Sequence, residues 1–371
     1  MKILDIYTKM VEIDASDVYL TVGCPPMFRA KGTTAPWEGQ PNLDDELINA
    51  LTLSVMSEAQ QKEFLETFEM NLAQAVQGLG RFRVNAYRQQ GHFGMVIRQI
   101  KADIVSLDEL KLPETLKDVI MSKRGLILVV GATGSGKSTT LAAMIDYRNT
   151  NSDGHIITIE DPVEFVHKHK KSVIMQREVG IDTLNFKTAL KNTLRQAPDV
   201  ILLGEIRDEQ TMEMALEFAE TGHLCLGTLH ANNANQAIER VMNFFEQERH
   251  AQFYMQLSLN LRSIISQRLV RTASGERVPA VEILLDSPRV KDLILKGEVG
   301  QLKETMEASE TEGMVTFDSA LFKHWKDGRI SKDEAIQNAD SANNVRLKIK
   351  LASIASGDTS DDDANRPKLS L

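Results

Sequence analysis

A chain of 371 residues exceeds what one hydrophobic core usually serves, so two domains are expected. With 42% hydrophobic and 26% charged residues, the composition excludes wholesale disorder, collagen-like repeats and a disulfide scaffold. A net charge of -9, from 43 basic and 52 acidic residues, argues against broad phosphate neutralisation, and nucleic acid is not an expected partner.

Residues 1–100 read as a small α+β unit. Val18, Leu20 and Val22 alternate in a strand that Pro25-Pro26 ends, and two helices follow, the second opened by Ser57 with Gln60 as a capping box. A meander comes next: Met70, Leu72 and Val76 share a face, Phe82, Val84 and Ala86 repeat the alternation after the Gly78 to Gly80 turn, and Met95 and Ile97 mark a third strand. Its other face carries Arg81, Arg83, Asn85 and Arg98. The polar stretch 101–112 is the expected linker into a second domain, 113–355, and the polar segment 356–371 is expected to be disordered. Cys24 and Cys225 are too few for a secreted framework or a cysteine zinc site, and both are expected to be buried thiols in a reducing compartment. The longest apolar runs fall far short of the roughly 20 residues of a bilayer span, and MKILDIYTKMVEID has acids where a signal peptide is apolar. The expected location is the cytoplasm, or a membrane surface reached through partners.

In the second domain continuous apolar runs, 126–130, 156–159, 200–203 and 224–229, alternate with helical stretches such as 186–196 and 211–221. That is the pattern of an α/β fold with a buried parallel sheet and crossover helices. After the first run comes Gly131-Ala-Thr-Gly-Ser-Gly-Lys137-Ser138, a full G-x-x-x-x-G-K-[ST] phosphate loop between a strand and a helix. Gly131, Thr133, Gly134, Ser135, Gly136, Lys137, Ser138 and Thr139 form the expected nucleotide-binding set. Backbone N–H groups and the helix N-terminus surround phosphates, Lys137 reaches the β and γ oxygens, and Ser138 can ligate Mg²⁺. The strand 200–203 delivers Glu205 to the carboxyl end of the sheet, where ligands sit, and places Asp199 at the structural end. Glu205 is assigned to the Mg²⁺ side, with a surface ion pair to Arg207 as the alternative. Glu160 and Glu164, at the end of the run 156–159, are both able to orient a water toward a γ-phosphate; spacing does not separate them. His230, at the phosphate end of 224–229, is able to sense γ-phosphate, whereas His223 follows the C′ glycine Gly222 and caps a helix. The cluster His167 to Lys171 reads as a solvated loop. A hairpin is expected at Ser274-Gly275, and helices beyond Asp286, one with Ser331 and Glu334 as a capping box.

With these residues in place the chain resembles the secretion-type hexameric ATPases, most closely the retraction ATPases of type IV pili, the PilT and PilU group. TIEDPVEFVH (158–167) is similar to the family's Asp box, LRQAPDVILLGEIRD (194–208) to its Walker B box and AETGHLCLGTLH (219–230) to its His box. The resemblance implies a PAS-like N-terminal domain and a RecA-like ATPase domain in a homo-hexamer, with ATP between domains and subunits. It implies Glu164 as catalytic glutamate, Glu205 as the Mg²⁺-side acid, His230 as the functional His-box residue, and Arg83 and Arg98 as γ-phosphate arginines. It also implies a PilT-type ATPase and an inner-membrane platform protein as partners, at the cytoplasmic face of the pilus base. Segment 289–296 keeps the apolar core of a PilT helix motif but alters both arginine positions, and Ala197 replaces a usual acid. The first departure, together with the polar tail after Ser356, points to the PilU branch, whose members act as accessory ATPases for pilus retraction and twitching motility beside PilT. The alternatives are an autonomous PilT-type motor, a nucleotide-binding scaffold, which the intact set Lys137, Ser138, Glu164 and Glu205 disfavours, and a small-molecule kinase, which needs an acceptor pocket and a lid.

Overall fold

The structure, a computed structural model, describes residues 1–100 and 103–355, so the polar tail expected to be disordered lies outside the described residues. The chain divides into two compact units. The first comprises Met1–Ile104 together with Ile159–Lys168 and Gln176–Ala189; the second comprises Val105–Thr158, His169–Met175 and the chain from Leu190 on.

In the first unit α1 (Ile3–Glu12) precedes β1 (Ala15–Thr21), the hairpin β2 (Met27–Ala30) and β3 (Thr33–Pro36), helices α2 (Asp45–Ser54) and α3 (Glu58–Thr67), and the meander β4 (Glu69–Val76), β5 (Gly80–Gln89) and β6 (His92–Ile100). They form an antiparallel sheet of order β3-β2-β1-β6-β5-β4. The alternating residues Val18, Leu20, Phe82, Val84, Ala86, Met95 and Ile97 are all buried, packed with Ile6, Tyr7 and Met10 of α1 and Ile48, Leu51 and Phe64 of the other helices. Ser57 and Gln60 make the expected reciprocal cap on α3. The sequence reading omits the β2–β3 hairpin. Its two-residue turn, Lys31-Gly32, has both φ values positive, 50° and 82°, as the primed hairpin turn requires, but a lysine stands where Asn or Asp gives the usual signal.

The rest of the chain runs α4 (Thr115–Ile120), β7 (Gly125–Val130), α5 (Lys137–Asn151), β8 (Gly154–Glu160), β9 (Ser172–Glu178), α6 (Phe186–Thr193), β10 (Val200–Leu203), α7 (Glu209–Glu220), β11 (Leu224–Leu229), α8 (Ala234–Met242), α9 (His250–Asn260), β12 (Leu261–Arg271) and β13 (Arg277–Leu285); the last residues of β8, from Ile159, and of β9, from Gln176, and the first half of α6, to Ala189, fall to the first unit and the others to the second. Five helices follow: α10 (Pro288–Leu295), α11 (Leu302–Ala308), α12 (Phe317–Lys326), α13 (Lys332–Gln337) and α14 (Ala342–Ala355). The sheet order is β13-β12-β7-β11-β10-β8-β9, with β7 paired parallel to β11 and β12, β10 parallel to β11, and β13 antiparallel at one edge. All six residues of β7 are buried, as are all of β10 and β11, which accounts for their uninterrupted apolar sequences.

Three local expectations change. The stretch read as a linker packs Leu107 and Leu112 into the core of the second unit. Cys225 is buried, but Cys24 is only half-buried. Ser331 does cap α13 through the Glu334 N–H, yet the Glu334 carboxylate accepts from Arg271 N and Asn338 Nδ2 instead of returning to the cap. The expected hairpin turn forms, with Thr272 N donating to Glu276 O at 2.8 Å.

Candidate active site

The phosphate loop is shaped by β12 as much as by its own glycines. A Cβ on Gly131 would lie 2.4 Å from Ser135 Oγ and 2.5 Å from the Gln267 carbonyl, and one on Gly136 would lie 2.7 Å from Gln267 Nε2. Neither position has room for a side chain, so the loop closes tightly against Gln267. The Gln267 carboxamide oxygen in turn accepts from Thr140 Oγ1 at 2.7 Å, which fixes the first turn of α5. No side chain caps that helix, and its N-cap is Gly136. Lys137 Nζ donates to the carbonyls of Gly131 and Ala132 at 2.7 and 2.9 Å, curled toward the loop whose phosphate it would meet. Ser135 Oγ is buried without a hydrogen-bond partner. A cleft of about 300 Å³ opens beside the loop, lined by Thr133, Gly134, Ser135, Gln267, Arg268 and Arg277 among others.

Glu205 and His230 are brought together by the ends of β10 and β11. Ile206 N donates to Thr228 O, and Thr228 Oγ1 donates to Gly204 O at 2.5 Å, so the chain leaving β10 stays tied to its neighbour. Gly227 makes room: a Cβ there would sit 2.5 Å from Ile206 Cδ1. The Glu205 carboxylate accepts from Arg207 Nε at 2.6 Å with one oxygen and lies 3.2 Å from His230 Nε2 with the other. The ion pair with Arg207 therefore coexists with the placement of Glu205 at the carboxyl end of the sheet. Asp199, at the opposite end, accepts from His155 N at 2.8 Å. Gly222 and His223 close α7, their N–H groups bonding Ala219 O and Phe218 O, a Schellman arrangement.

Glu164, Arg83 and Arg98 belong to the first unit, while the phosphate loop, Glu205 and His230 belong to the second. Arg83 and Arg98 are register partners on β5 and β6, and Asp17 pairs with Arg98 from β1, so the three form one cross-strand row. Arg98 Nε donates to Asp17 at 2.7 Å, with the arginine 66% exposed and the aspartate 5%. Glu164 is exposed, next to buried Val163. Glu160 differs: its carboxylate accepts from Gln176 Nε2 at 3.3 Å, and its carbonyl from Val179 N. The segment read as a solvated loop is exposed at 168–170 but anchored, with Lys170 paired to Asp146 at 2.8 Å and His169 Nδ1 accepting from Ile174 N.

Gln267 is absent from the sequence reading. In β12, which mixes apolar residues with Ser263, Ser266 and three arginines, nothing local singles it out, although it is 3% exposed. The same holds for Gln176 and Glu178, which flank the Glu164 loop from β9, a strand the sequence reading leaves out.

A buried, largely parallel sheet with this loop at the carboxyl end of an inner strand, β7, defines a P-loop nucleotide-binding protein. The family model for type II/IV secretion system proteins matches residues 69–312. The chain is 53% identical over 350 residues to the type IV pilus ATPase PilU of Pseudomonas aeruginosa, covering 94% of this chain and 91% of the relative. It is 42% identical to the retraction ATPase PilT of the same organism, covering 91% and 98%. Among solved structures, the pilus retraction motor PilT with bound ADP superposes with a TM-score of 0.88 at 41% identity, over 94% of this chain and 99% of that one. The Legionella pneumophila ATPase DotB gives 0.73 at 26% identity, over 90% and 94%. The chain belongs to the type II/IV secretion system protein family, in its PilT and PilU group of type IV pilus retraction ATPases.

Proposed function

We propose that this chain is the accessory, PilU-type retraction ATPase of a type IV pilus, a hexameric motor that hydrolyses ATP at the cytoplasmic face of the pilus base alongside a PilT-type ATPase and an inner-membrane platform protein. The observation that carries the reading is the complete phosphate loop, closed on Gln267, in a chain similar to PilU over nearly its whole length. Among the described residues no helix is long and apolar enough to cross a membrane, so attachment to the membrane is assigned to partners. The first unit is read as PAS-like and the second as RecA-like.

The nucleotide fits this chain because the loop leaves no room for a Cβ at Gly131 or Gly136 and Ser135 Oγ awaits a partner. Lys137 and the N–H groups of the loop compensate the β and γ charge. Ser138 and Glu205 would hold Mg²⁺; hydroxyl and carboxylate oxygens are the donors that ion takes, with phosphate and water completing its shell. When bound, it supplies charge neutralisation to the transferring phosphoryl group. Glu164 acts as the base that orients water for attack on the γ-phosphorus. As the O–P bond forms and the bond to the β-bridging oxygen breaks, the water's proton passes to its carboxylate. Arg83 and Arg98 stabilise charge on the γ-phosphate oxygens, and His230, beside Glu205, reports on the same group.

The altered segment 289–296 is α10, with Val290, Leu293 and Ile294 buried and Arg289, Lys291 and Lys296 in surface ion pairs to Asp286 and Asp292. It leaves the phosphate site untouched and changes only what the ring presents to the pilus base. The test is complementation of a strain lacking both retraction ATPases. This gene alone is expected to leave pili unretracted, and this gene with a PilT-type partner inactivated in its phosphate loop is expected to restore retraction. Full retraction by this gene alone refutes the accessory assignment.

A further inference from the structure

Two side chains of β9, Gln176 and Glu178, point to the same face because they are two residues apart on a strand. Both reach the segment that carries Glu164, and both lie in the first unit with it. Gln176 uses both ends of its carboxamide: Nε2 donates to Phe165 O at 2.8 Å and Oε1 accepts from His167 N at 2.8 Å. Glu178 accepts from Val163 N at 3.4 Å. Glu164 is thus bracketed, with its neighbours on either side fixed and its own carboxylate exposed.

Glu178 has a second attachment. Its carboxylate pairs with Arg81 Nη2 at 3.3 Å, and Arg81 stands two residues from Arg83 on the polar face of β5. Glu178 is 2% exposed, and burial pushes its carboxyl above the usual range, while Arg81, the Val163 N–H and Arg83 pull it back toward the ionised form. A buried carboxylate is expensive unless it is paired, so the fold keeps this one for a contact that an apolar residue does not make. Its own backbone is held by the turn that follows, where Glu178 N donates to Asp182 Oδ2 and Asp182 N returns to Glu178 O, each at 2.8 Å.

We propose that Gln176 and Glu178 are positioning residues for Glu164, and that Glu178 ties the loop of the base to the arginine strand, so that base and arginines move as one body. This rests on the reading of Glu164 as the base. Neither residue touches the nucleotide in this account; each acts through the backbone beside Glu164 or through Arg81.

The full chain carrying Gln176→Ala, Glu178→Gln or Glu178→Ala is compared with wild type in ATP turnover and nucleotide affinity, and each substitution is repeated in a Glu164→Gln background. Gln176→Ala and Glu178→Ala are expected to lower kcat about 10- to 100-fold, because misplacement of a catalytic group by an ångström costs that much, while KM and nucleotide Kd stay within about threefold. Glu178→Gln keeps an oxygen for Val163 N and loses the charge facing Arg81, so its kcat is expected between wild type and Glu178→Ala; being isosteric, it also serves if Glu178→Ala does not fold. In the Glu164→Gln background each change is expected to lower the residual rate less than about threefold, since residues acting through one group are non-additive. The proposal is overturned if kcat of the single variants stays within threefold of wild type, or if they cost the same factor with Glu164 already replaced. Wild-type turnover in Glu164→Gln alone refutes the base assignment and the proposal with it. An inactive Glu164→Gln beside unaffected Gln176 and Glu178 variants refutes the positioning role only.

Discussion

The phosphate loop and the Glu164 loop are built differently. The first combines glycines within six residues of one another with a distant strand, β12, whose Gln267 closes the loop and holds Thr140 behind it. The second has no glycine cradle; residues 161–167 are held from β9 by Gln176 and Glu178, with Asp161–Pro162 a cis peptide. A site that must grip phosphate in every state is well served by the first construction. The second suits the role proposed for Glu164, a base that must be aligned only at the reacting moment.

The largest effects separate binding from chemistry. Lys137→Ala is expected to abolish turnover and weaken ATP binding, because the β and γ phosphate charge loses its compensating ammonium. Glu164→Gln is expected to reduce turnover to a small residual rate while keeping affinity, as equilibrium nucleotide binding will report; a parallel loss of affinity breaks the distinction. Glu205→Gln should instead shift the Mg²⁺ titration of activity, and equal shifts for both glutamates contradict the division of roles. Next come the arginines. Arg83→Ala is expected to lower kcat by roughly 10³, in the manner of arginine-finger losses, with milder loss of binding.

A smaller effect tests the cradle itself. Gly131→Ala drives a Cβ into Ser135 and the Gln267 backbone and is expected to cost roughly 1–3 kcal/mol in stability, along with nucleotide affinity. Gly134 is at φ 76° but faces open space, so Gly134→Ala is expected to cost only the backbone term, roughly 1–2 kcal/mol, with thermal unfolding ranking the two. The last variant concerns a buried carboxylate of the second unit, whose effect appears only as pH changes. Glu282 is 3% exposed, accepts from Ala234 N at 2.8 Å, and burial pushes it up to about 7 from 4.5. The folded protein holds this proton up to near pH 7 while the unfolded chain releases it near 4.5. Stability is therefore greatest below that window and falls as pH rises through it, by at most roughly 3 kcal/mol. Glu282→Gln removes the titration, so its melting temperature relative to wild type is expected to rise between pH 5 and pH 8; an unchanged difference contradicts the shift.

Legibility followed the same division. The loop from Gly131 to Ser138, the buried strands and the cap at Ser57 were readable because spacing and residue type suffice over a few positions. Choosing Glu164 over Glu160 was not, since both leave β8 together and only the resemblance favours one. β9 was missed because its exposed Val173 and Met175 alternate with buried Ile174, an apolar run that fits neither face cleanly. Gln267 was missed because its partner Thr140 is 127 residues away, beyond any local pattern.

The division of the chain has a further consequence, for inheritance. The backbone passes between the units at 104/105, 158/159, 168/169, 175/176 and 189/190, five crossings where beads on a string have one. A recombination event at the first junction would carry away the amino-terminal sheet and leave its two later segments, including the Asp box, with the other parent. Exchanging the whole first unit between relatives requires three segments to travel together, so chimaeras joined once near residue 104 pair a sheet from one lineage with a Glu164 loop from another. Swaps that respect all five junctions are the ones in which a foreign first unit arrives intact.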